Sequence, residues 1–182
     1  HSGDGEGSVM IGTRVGDYMD ANNNTLIGFE SGMATIGSPL TGANNTFVGY
    51  RTGKVTTSGY HNAFVGHVAG ALNTTGYYNA FFGANAGERN TTGYQNAFLG
   101  DYAGNFNTSG IYNTFVGSAA GYNTSTGVQN TFLGRDAGRG NTTGADNTFL
   151  GFTAGDNTTT GARNIIIGSG TDNLTAATDD YI

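Results

Sequence analysis

One spacing constrains this chain more than any other feature: an Asn followed by a short β-type run recurs every 17 residues. The anchor stands at Asn45, Asn62, Asn79, Asn96, Asn113, Asn130, Asn147 and Asn164, and each interval is 17. Two looser copies start at Ser8 and Asn24, at intervals of 16 and 21. A fixed short period marks a solenoid, in which each unit buries its apolar face only against its neighbours. The longer interval holds a four-residue insertion within Met33–Ala43, around the only proline, Pro39. Length irregularities belong in loops, so this stretch is expected to bulge from the stack.

Counted from the anchor as offset 0, the unit reads N-[TA]-F-[VLF]-G-x-x-A-G-x-x-N-T-T-G-x-x. Gly at offset 4 is present in all ten copies, from Gly12 to Gly168. Gly at offset 8 runs from Gly16 to Gly155 and is replaced only at Asp172; Gly at offset 14 runs from Gly59 to Gly161. Glycines at fixed phase mark corners that need positive φ or close approach. The pieces between them suit short strands, and glycine at this density would cost a helix about 1 kcal/mol per residue. The expected fold is therefore all-β: a parallel β-roll or β-solenoid of about ten 17-residue coils over residues 8–168.

Within N-T-F-V, strand alternation sends offset 2 to one face and offsets 1 and 3 to the other. Offset 2 is Phe47, Phe64, Phe81, Phe98, Phe115, Phe132 and Phe149, with Met10, Leu26 and Ile166 in the end copies. Offset 3 is apolar throughout, from Ile11 through Val48 and Phe82 to Ile167. Offset 7 is Ala from Ala69 to Ala154, which fits a tight second strand. Stacked at about 4.8 Å, the coils put Phe on Phe, Asn on Asn and Thr on Thr, in a rod about 48 Å long. A single coil buries few side chains against about 1–2 kcal/mol of backbone ordering per residue. Apolar groups leaving the strand on both faces predict cover from another chain, and a homotrimer about the long axis is expected.

Composition narrows the function. Charged residues are 11% of the chain and the net charge is −6, an unfavourable footprint for phosphate backbones or anionic lipid. Nucleic acid is not an expected partner, and apolar runs of three or four residues predict no membrane insertion. Gly is 33 residues but Pro is 1, which excludes collagen, and the absence of Cys excludes disulfides and thiolate metal sites. Residues 1–7 read as a flexible leader or expression remnant, and the chain reads as a piece of something longer.

The unit N-T-F-V-G-x-x-A-G, joined by N-T-T-G, resembles the repeats of trimeric surface fibres. These are the YadA-like heads of bacterial trimeric autotransporter adhesins and related phage tail-fibre or chimeric fibre proteins. Asn164–Gly168 (N-I-I-I-G) and Ser8–Gly12 (S-V-M-I-G) come closest to the A-I-G ending of the adhesin unit. The 17-residue spacing, and Phe where that family has a small residue, depart from it. The resemblance implies a left-handed parallel β-roll packed as a homotrimeric β-prism, at a cell surface or virion tail. It also implies that residues 169–182 are a connector to a downstream domain.

No residue set reads as catalytic and no cofactor is implied. His61 and His67 are six residues apart in variable slots, without the convergent ligands a metal needs. The glycines follow the repeat period and not a phosphate-binding loop, and no Gly-Lys-Ser/Thr occurs. A calcium β-roll needs an acid at each turn, whereas Asp101, Asp136, Asp146 and Asp156 are scattered. The Asn-x-Thr/Ser triplets at Asn73, Asn90, Asn107 and Asn141 follow from the Asn-Thr ladder. Paired carboxylates of a glycosidase are missing.

The variable offsets are the candidate binding positions. Offsets 15 and 16 hold Tyr60, Tyr77, Tyr78, Tyr94 and Tyr112; offset 5 holds Tyr50, His67, Arg135 and Phe152. Tyrosine offers a flat apolar face and a hydroxyl, suited to a surface glycan or an envelope protein. The alternative is that these rings only pack over neighbouring coils or fill the chain–chain seam. Three functions compete: an adhesive fibre segment, a passive spacer, and an ice or mineral binder using the Thr rows at offsets 12 and 13.

Overall fold

The computed structural model describes residues 6–170. Residues 1–5 of the expected leader, and 171–182 of the expected connector, lie outside the described residues. Each repeat contributes one three-residue strand. These are β1 (Val9–Ile11), β2 (Thr25–Ile27), β3 (Thr46–Val48), β4 (Ala63–Val65) and β5 (Ala80–Phe82). They continue as β6 (Ala97–Leu99), β7 (Thr114–Val116), β8 (Thr131–Leu133), β9 (Thr148–Leu150) and β10 (Ile165–Ile167). All pair in parallel, in sequence order, as one ten-stranded sheet. The chain is a parallel β-solenoid of about nine full turns between ten rungs, and no helix occurs among the described residues.

Register follows the repeat without slippage: Phe64 faces Phe81, and Thr25 still faces Thr46 across the 21-residue interval. The extra residues leave the stack as a short hairpin, bridged antiparallel between Thr35 and Ser38. Gly37 takes φ +83° at its turn, and Ile36 beside it is 81% exposed. Buried Ala34 and Leu40, with a parallel Met19–Leu40 bridge, tie its base to the core.

The core is a single file of side chains. The seven offset-2 phenylalanines are fully buried, with parallel rings 4.7–4.9 Å apart. Ala69, Ala86, Ala103, Ala120, Ala137 and Ala154 close the core as a second fully buried row. No second strand forms there, contrary to the sequence expectation. Offsets 6 and 8 on either side of each Ala are left-handed, as at Tyr102 (φ 56°) and Gly104 (φ 57°), which breaks an extended run.

Direction of hydrogen bonding explains those conformations. The N–H of Gly70 points forward to the Ala86 carbonyl of the next coil, at 3.0 Å. The N–H of Val68, two residues earlier, points back to the Tyr50 carbonyl at 2.8 Å. A left-handed residue turns the peptide over, so both neighbouring coils are bonded and few backbone groups go unpaired. Offset 16 does the same: Tyr78 donates back to the Tyr60 carbonyl at 3.1 Å.

Two polar rows stiffen the stack, one buried and one half-buried. At offset 0 the Asn62 side chain donates to the Gly76 carbonyl at 2.9 Å, and its oxygen accepts the Asn79 backbone N–H at 3.0 Å. The same pattern continues to Asn164, whose backbone N–H donates to the Asn147 side-chain oxygen at 3.0 Å. At offset 12, the Thr74 hydroxyl donates to the Thr91 carbonyl and Thr91 to Thr108, each at 2.9 Å. Buried amides paired in this way avoid the cost of unsatisfied groups.

Candidate functional site

The outward face of the sheet is uncovered. Offset 3 points away from the phenylalanines, and Ile11, Phe82, Leu99, Leu133, Leu150 and Ile167 are all exposed, Leu99 by 53%. The offset-1 residues beside them are Thr, Ala, Val or Ile, so neither position carries a charge in any coil. Parallel sheets are ordinarily buried on both faces. In the single chain this one is buried on one.

The predicted tyrosines converge at the corner next to that face. Tyr60, Tyr77 and Tyr94 stack in parallel at 5.0 and 4.7 Å, and Tyr78 stacks on His61 at 4.9 Å. Tyr78 also meets Tyr60 and Tyr77 edge-on, and Tyr112 meets Tyr94 edge-on at 5.5 Å. A hydrogen bond with Tyr112, together with burial, holds the Tyr94 phenol above its ordinary value. The parallel stacking occupies both ring faces of Tyr77. A shallow groove of about 360 Å³ opens beside Tyr78, lined by Ala80, Gln95, Asn96 and Ala97.

Offset 5 forms a separate stack, Phe29 on Tyr50 at 5.6 Å and Tyr50 on His67 at 5.1 Å. His61 and His67 thus belong to different aromatic stacks. Among the described residues no group of three or more His, Asp or Glu could hold a metal ion. Further along offset 5, Arg135 lies 5.6 Å from the Phe152 ring. The offset-12 hydroxyls are engaged along the stack, so only the offset-13 Thr and Ser row is free to face a surface.

Sequence reasoning missed two clusters. Arg89 covers Phe106 at 4.1 Å, Phe106 meets Tyr122 edge-on at 5.0 Å, and Arg139 approaches Tyr122 at 5.8 Å. Arg89 and Phe106 stand at offset 10 but Tyr122 and Arg139 at offset 9, so no single column of the repeat reveals them. The other centres on Glu30, 3% exposed and bonded to Arg14 at 2.6 Å, Arg51 at 2.8 Å and Lys54 at 3.0 Å. Lys54 first, and Arg51 after it, hold the Glu30 carboxyl below its ordinary value against the opposing effect of burial. The signal was available here, because offset 6 reads Arg14, Glu30, Arg51 in successive coils. At the other end, burial and then the charge of Asp136 push the Asp156 carboxyl up.

Comparison with protein-family models, with curated proteins and with solved structures returns no match. Among the described residues no helix is long and apolar enough to cross a membrane.

Proposed function

We propose that this chain is a non-catalytic segment of a homotrimeric fibre at a cell surface or virion tail, adhering through multivalent contact with glycans or envelope components. The observation that carries the reading is the uncharged apolar face running along all ten strands. Two further copies would supply its missing cover. Three chains present every corner three times, so weak contacts by tyrosine edges and hydroxyls add up through avidity. The repeat resemblance to YadA-like heads and phage fibres supports the same assembly.

The test is binding of the assembled chain to a glycan array and to intact cells, beside a variant with Tyr60, Tyr94 and Tyr112 changed to Ala. Adhesion predicts binding that the triple change abolishes. No binding by the parent chain would sink it. A passive spacer is the second reading, favoured by the ring stacking, which spends tyrosine faces on neighbouring coils. For a spacer, deleting two coils shortens the fibre and leaves its binding intact.

A further inference from the structure

We infer that Phe82 and the groove beside Tyr78 form a knob and hole that lock neighbouring copies of this chain in axial register, an inference that rests on the trimer proposed above. Identical coils make side-by-side packing nearly degenerate, because sliding by one rung, about 4.8 Å, uncovers only the end rungs. A repetitive interface needs a unique element to select one register. Offset 3 supplies one: it is Ile, Val or Leu in nine coils and Phe only at Phe82.

The hole lies at the same height. Ala80 and Ala97 stand at offset 1 in the same and the following coil, and the groove between Tyr78 and Gln95 opens directly over them. One coil lower, the corner is flanked by the stacked His61 and Tyr78 rings, 4.9 Å apart. One coil higher, offset 1 becomes Thr114. Slipping either way removes Phe82 from the groove. Knob and hole occupy different columns of one face, so each chain's knob meets its neighbour's hole, the heterologous contact that closes a cyclic ring.

A second copy is the occupant that charge and area favour. Each copy carries a net −6, and the face has no charge at offsets 1 or 3 to repel its like. The face of ten three-residue strands measures roughly 48 by 10 Å from strand spacing and residue rise, about 480 Å² per chain. A trimer would bury about 1,400 Å² in total, within the range of specific protein interfaces.

The chain has no Cys, which permits a direct test of register. Leu133→Cys chains are refolded with size-tagged chains carrying Thr131→Cys, Thr148→Cys, Thr114→Cys or Ile165→Cys, then oxidised. In register, Leu133→Cys bonds to the first two at least about tenfold better than to the slipped pair, given the short reach of a disulfide. Adding Phe82→Val to both chains, which copies the Ala-x-Val pattern of β4, should reduce that preference to about twofold or less while circular dichroism stays unchanged. Equal bonding to all four partners, bonding to none within a trimer, or a preference that survives Phe82→Val would each overturn the lock. A monomeric parent chain would instead overturn the trimer beneath it.

Discussion

Asn107 is where the inner amide row at offset 11 breaks. Asn90 donates to Asn73 at 2.7 Å and Asn107 to Asn90 at 2.6 Å, but the next coil places Thr124 there. The Asn107 oxygen, the Thr124 hydroxyl and the Asn141 amide are left buried without partners. Thr124→Asn restores the row from Asn73 to Asn141, and it should stabilise the chain by about 1–2 kcal/mol, read as a raised urea midpoint. Gly104 tests the opposite sign. Its φ is +57°, and a Cβ there would overlap the Phe98 ring, so Gly104→Ala should cost about 1–3 kcal/mol or more by the same measurement. Gly100 differs, because a Cβ there would meet the Gly117 carbonyl of the next coil. Such glycines were legible from their invariance along the repeat. The left-handed residues at offsets 6 and 16 were not, since Val68, Asn85, Tyr102 and Ala119 share a conformation and no chemistry.

At the scale of the element, a coil is one short strand held by what stacks above and below it. Removing one phenyl group from inside the file leaves a cavity that the two flanking rings cannot close. Phe98→Ala should therefore cost about 3–5 kcal/mol in chemical denaturation. Phe149→Ala, near the end of the file, should lower the midpoint less, because stability in a stack is a sum of neighbour contacts. The strand, its register and the buried Phe row were all readable from period and alternation. The turn around the offset-7 alanines was not, because a small buried residue fits a strand and a tight bend equally well. The first coils carry their own element-scale device in Glu30, whose carboxyl sits below its ordinary value of 4.5. A depressed carboxyl contributes its stability in full above the unfolded value and loses it as pH falls through the folded one. Acid titration should accordingly loosen the coils around Glu30 below about pH 4.5, seen as lower amide protection factors, relative to the intrinsic rate at each pH, at Arg14–Lys54. Glu30→Gln should show that lower protection already at pH 7, with little further change in acid.

At the scale of the whole molecule, the sequence pattern announced two apolar faces on one strand, and the structure buries only the Phe face. The periodicity shows that an outer face exists but cannot say what covers it, because a partner leaves no trace in a single chain's spacing. The candidate contact site was half legible for a related reason. Tyrosines in neighbouring columns were visible as a group, whereas their mutual stacking and the groove at Ala80 and Ala97 arise only once coils are superposed. In the proposed assembly the outer face holds three chains together. Sedimentation equilibrium at micromolar concentration reads this out, on the parent chain and on a Leu99→Glu/Leu133→Glu variant. The expected mass is three times 18.7 kDa for the parent and that of a single chain for the variant, both with the same far-ultraviolet circular dichroism. A parent chain that sediments as a monomer would contradict it.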